Sequence, residues 1–138
     1  MKDFLVKTVR WIAVPIVYLL AIVLANYLGK ILFNWLCADT GLFYFKNSNV
    51  VSAIDAMREL VSYAFGAGLS MVVAGAVAPS HNVGTARTLG CIHGAIASFS
   101  AILCIITGQD VSMNSYAAWI GLVIGVLSGW FIVAEQYK

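Results

Sequence analysis

Residues 11–29 read WIAVPIVYLLAIVLANYLG, nineteen positions without a formal charge. A bilayer core takes roughly 20 apolar residues in a helix, so this run alone is long enough to cross one. It continues past Lys30 to Leu36, for a span of about 11–36. Three further runs follow, at about 50–78, 88–107 and 116–134, the second ended by Pro79 and the third by Gly108.

The composition agrees with that reading. Of 138 residues, 62% are hydrophobic and 10% are charged, and the mean hydropathy is +0.92. Soluble domains are about half apolar and about a quarter charged. A water-soluble fold of this size could not hide so much apolar surface. The expected fold class is therefore an all-α integral membrane protein, a single four-transmembrane-helix bundle over residues 1–138. Lys2, Lys7 and Arg10 ahead of the first run imitate a signal peptide. The run is longer than a signal peptide's apolar region, and no small-residue cleavage site follows it. The first span is expected to be retained.

Lysine and arginine near the span ends set the expected orientation. With the N-terminus inside, Lys2, Lys7, Arg10, Arg87 and Lys138 are inner, against Lys30, Lys46 and Arg58 outside. This predicts cytoplasmic N- and C-termini, with one longer outer loop between the first two helices, and a bacterial inner membrane as the location. Trp11, Trp35, Trp119 and Trp130 all fall near predicted interfaces, where indoles prefer to sit. Little chain remains outside the bilayer to form a soluble domain.

Small residues recur at helical spacing. The stretch IGLVIGVLSGW (120–130) puts Gly121, Gly125 and Gly129 on one ridge, begun by Ala117. Each glycine costs a helix about 1 kcal/mol relative to alanine in water. In a membrane, small side chains let two helix backbones approach closely. The third run offers Gly90, Gly94 and Ser98, and the second Gly66, Ser70, Ala74 and Ala78. These seams predict tight packing, either within one chain or between copies in a homo-oligomer.

Polar residues interrupt the apolar runs in a few places. Asn26, Lys30 and Asn34 share one helix face. Lys30 either snorkels to the headgroups or meets an acid, with Asp39, Asp55 and Asp110 as candidates. Ser52, Asp55, Glu59, Ser62, Gly66 and Ser70 form a narrow stripe on a helix for which Asn49 is the expected N-cap. Two readings of the stripe are open. It is either a solvated first turn leading into a packing face, or Asp55 and Glu59 line the cation-attracting vestibule of an oligomeric pore. Phe43, Tyr44 and Phe45 read as a segment on the outer headgroups or an external docking site. His93, alone within the third run, is expected to hydrogen-bond to a neighbouring helix. His81 and Arg87 in the inner turn are candidate contacts for a cytoplasmic protein.

Several functions find no support in the residues. Cys37, Cys91 and Cys104 have no CxxC or metal spacing, and Cys91 and His93 point to different sides of a helix. There is no HExxH, no nucleophile–base pair and no phosphate loop, so the expectation is a non-enzymatic protein with no cofactor and no metal. A net charge of +2 with no basic cluster argues against nucleic acid. The first-span glutamate of small multidrug exporters and the glycine–asparagine patterns of fluoride channels are absent, and the four-span lipid-linked sugar flippases do not match. Two main readings remain, with a small transporter behind them. One is an oligomeric membrane subunit that anchors and signals to a cytoplasmic partner; the other is a gated or lytic homo-oligomeric pore. In architecture alone the chain resembles the four-span membrane subunits of bacterial defence operons, such as the Kiwa anti-phage type, which work with a separate cytoplasmic effector. That likeness implies the membrane component of an antiviral defence complex.

Overall fold

A computed structural model describes residues 2–38, 47–80 and 82–136. The described residues form four helices: α1 (Lys2–Ala38), α2 (Ser48–Val77), α3 (Asn82–Ile106) and α4 (Met113–Gln136). Each is long and apolar enough to cross a membrane.

The helices outrun the apolar segments because hydropathy marks what the bilayer needs, whereas a helix continues until something stops it. Thus α1 starts at Lys2 rather than near Trp11, and α3 takes in 82–87, which the sequence assigns to a turn. Pro15 does not end α1; its ring removes one backbone donor, a loss that membrane-spanning helices tolerate through local backbone adjustment. The cap of α2 is Asn47, not Asn49, since α2 already begins at Ser48; Asn47 Oδ1 accepts the Asn49 amide at 3.0 Å.

The other ends follow local chemistry. Proline disfavours helical backbone in the residue before it, and Ala78 is accordingly extended (φ −58°, ψ 130°). After α3, Gly108 adopts φ +65°. The Gln109 amide donates to Cys104 O at 3.1 Å and the Gly108 amide to Ile105 O at 3.2 Å. This closure needs a left-handed residue, for which glycine has no steric cost. Ser112 Oγ accepts the Ser115 amide at 3.3 Å and opens α4.

Helix α2 is the hub. On one side α1 runs antiparallel to it, with Lys30 beside Glu59, Gly29 beside Ser62, Asn26 beside Gly66 and Arg10 at the Val77 carbonyl. On another side α4 runs parallel to it, since Gly121, Gly125 and Gly129 meet Leu60, Ala64 and Gly68 in rising order. Helix α3 joins at the end of the bundle that holds the start of α1. There Val14, Tyr18, Met71, Ala74, Ala86 and Val133 form a core drawn from all four helices.

Candidate functional site

The α4 glycines lie on the backbone of α2. A Cβ built on Gly121 would collide with the Leu60 carbonyl oxygen and stand 2.9 Å from its carbon. At Gly125 it would collide with the Ala64 carbonyl oxygen, and at Gly129 it would come within 3.0 Å of Gly68 O. All three glycines are buried, as is Ala117 at the start of the ridge. This seam is used within the chain. The facing ridge of Leu60, Ala64 and Gly68 escaped the sequence reading, although its i, i+4 spacing was legible there.

The polar stripe of α2 lies against α1. Gly66 is packed on Asn26 and Ile22 at 3.4 Å, and Gly29 would place a Cβ 3.0 Å from the Cα of Ser62. Ser62 and Ser70 are fully buried and return their hydroxyls to their own helix, Ser62 to Arg58 O at 2.6 Å and Ser70 to Ala67 O at 2.8 Å. Lys30 Nζ stands 2.8 Å from Glu59 Oε1. Among the described residues the acid that meets Lys30 is therefore Glu59, not Asp55 or Asp110. Antiparallel packing brings Glu59 level with Lys30, and Asp55 instead pairs with Arg58 one turn along at 2.9 Å. Asn26 Oδ1 is buried in this interface without a partner, while Asn34 is exposed.

Helix α3 behaves differently along its length. Near its start Gly90 sits on the Met71 thioether and Val126. One turn on, a Cβ at Gly94 would meet nothing within 4 Å, and Ser98 is exposed. The two halves are separated by a polar contact. Tyr18 Oη lies 3.1 Å from His93 Nδ1, with the rings edge-on, and 3.5 Å from Leu89 O. Beyond His93 a cleft of about 330 Å³ opens between α3 and the α2–α4 pair, lined by Tyr63, His93, Ser100, Ser115 and Trp119. A side pocket of about 80 Å³ reaches Gly94 and Ser98. Tyr18, the partner of His93, was not visible as such in the sequence, because nothing in spacing ties α1 to α3.

At the opposite end of α3, Arg87 lies over Trp130 of α4, with Cζ 4.9 Å from the ring centre. His81, Asp39 and the aromatic run Phe43, Tyr44 and Phe45 lie outside the described residues. Among the described residues no three His, Cys, Asp or Glu side chains gather as a metal ion would require. Comparison of the chain with protein-family models, with curated proteins and with solved structures gives no match.

Proposed function

We propose that the protein is a non-enzymatic membrane subunit that assembles in the bilayer through the free half of α3 and anchors a cytoplasmic partner at one end of the bundle. One observation carries this reading: 44% of the most apolar window of α2 is buried but only 6% of that of α3, yet α3 holds Gly94, where a Cβ would meet nothing within 4 Å, and an exposed Ser98. Helices in lipid associate by close packing of small residues rather than by burial. A small-residue face with an open cleft beside it suits a helix from a second copy. Both α2 carboxylates are engaged by cations of the same chain, which favours the subunit reading over a pore with an acidic mouth. The architectural likeness to four-span defence subunits names one class of soluble companion to look for.

The test is the intact mass of the tagged protein taken from its native host in nanodiscs. A homo-oligomer carrying a stoichiometric soluble protein is expected. A bare monomer would overturn the proposal, and a bare oligomer would move the reading to a pore. Single cysteines at position 98 in a cysteine-free background should cross-link copies, whereas cysteines at Ile124, exposed on α4 and outside the pocket beside Ser98, should do so less.

A further inference from the structure

Three of the described cations find partners within the bundle. Lys30 meets Glu59, Arg58 meets Asp55, and Arg10 Nε donates to the Val77 carbonyl at 3.1 Å. Arg87 makes no ion pair among the described residues; its Nε, like that of Arg58, is buried without an acceptor, but Arg58 has the Asp55 carboxylate beside it and Arg87 has no anion. Its one contact of note is the face of Trp130. A guanidinium presents five fixed donors and no acceptor, and a buried donor left unmade is costly. The site is therefore short of an anion.

What surrounds Arg87 says which anion. It lies about 7 Å into α3 from Asn82, at 1.5 Å per residue, which is the depth of a membrane interface when the helix spans. Trp130, near the end of α4, supplies the indole that favours that level. Alongside runs a groove of about 360 Å³ walled by Leu127, Phe131 and Ala134. Phe131 is largely exposed on the outside of the bundle, so the groove faces lipid rather than a neighbouring helix of the chain. A cation able to take phosphate oxygens in a fork thus sits at the head of an apolar channel open to the bilayer.

We infer that Arg87 and Trp130 form a site for an anionic phospholipid, with the headgroup phosphate on the guanidinium and an acyl chain along Leu127 and Phe131. The indole holds the guanidinium by cation–π attraction, and the phosphate fills the donors that no protein group takes. The charge match is one unpaired cation to one monoanionic lipid. A zwitterionic lipid offers the same phosphate without the net charge, and a free phosphate ester offers no chain for the groove.

The experiment uses the full chain in nanodiscs of equal parts phosphatidylglycerol and phosphatidylcholine, released into mild detergent and weighed intact with retained lipid. The wild type should keep phosphatidylglycerol in preference by roughly fivefold, the effect of about one basic residue at an anionic surface. Arg87→Gln should bring that ratio near one, and Arg87→Lys should keep part of it. Lys7→Gln, which removes an exposed cation near the start of α1, should leave it unchanged. Equal retention of the two lipids by the wild type would overturn the site, as would an undiminished preference in Arg87→Gln. Glycerol phosphate at millimolar concentration should not displace the lipid; displacement would show that the chain contributes nothing. Should Arg87→Gln fail to fold, quenching of wild-type tryptophan fluorescence by brominated-chain phosphatidylglycerol decides. Quenching no stronger than by brominated phosphatidylcholine would also overturn the inference.

Discussion

The fourth helix and the C-terminal half of the third carry the same signature of small residues four apart, and the molecule treats them in opposite ways. Along α4, Gly121 and Gly125 press against carbonyl groups of α2 so closely that no Cβ fits, and a Cβ at Gly129 would stand only 3.0 Å from Gly68 O. Along α3, Gly94 faces open space and Ser98 is exposed. The difference teaches that a small-residue seam is a licence for close approach, not an address. Which helix accepts it depends on where connections and neighbouring seams place the backbones. The α4 ridge finds a second ridge of matching rise, Leu60, Ala64 and Gly68, on a parallel helix, and the two interlock over about two turns. The α3 ridge finds the side chains of Met71 and Val126 at Gly90 and nothing within 4 Å at Gly94.

The comparison breaks most easily at the α4 seam. Gly125→Leu should cost more than about 3 kcal/mol, at the upper end of overpacking because the obstacle is backbone. Thermal unfolding in detergent measures it, and a native melting temperature would mean that α2 and α4 do not touch there. A smaller effect is expected at Gly90→Val. The Cβ meets the Met71 thioether at 2.8 Å, and methionine can move aside, so the cost should be about 1–2 kcal/mol. If Gly90→Val matched Gly125→Leu, the claim that backbone rather than side-chain contact separates the seams would fail.

Two further substitutions sharpen the boundary between the packed and open parts of α3. Tyr18→Phe removes the partner of His93 and should destabilise by about 0.6–1 kcal/mol, the ordinary worth of a hydrogen bond between membrane helices. It should also raise hydrogen exchange in α3 beyond His93 more than in α4. Uniform exchange across both helices would remove Tyr18–His93 as the pin of α3. Smallest of all should be Gly94→Leu, with stability of the isolated chain changed by less than about 0.5 kcal/mol. Its effect is expected in the mass of the assembly instead, which should fall. A stability loss like that of Gly125→Leu would show that α3 is packed along its whole length.

Much of this was legible in the residues. The four apolar runs, Pro79 and Gly108 as stops, and the seams on α2, α3 and α4 all follow from composition and period. Lys30 was recognisable as a cation that either snorkels or pairs, but its partner was not. Asp55 and Glu59 lie on one stripe, and only the antiparallel stagger of α1 against α2 chooses Glu59. Tyr18 and His93 are likewise joined by three-dimensional register alone, and Arg87 stands out only once the partners of the other cations are known.

The order of residues along the chain is enough to give four helices apolar enough for a bilayer among the described residues, because length and hydropathy are local properties that no neighbour can revoke. It also sets which faces are small enough for backbones to meet. Packing in three dimensions makes α2 the hub, spends the α4 glycines inside the chain and leaves Gly94 of α3 with nothing within 4 Å of a Cβ. Helix pairing in lipid is settled by the fit of one surface to another. Fit is a relation between distant segments, and no single stretch of sequence contains it.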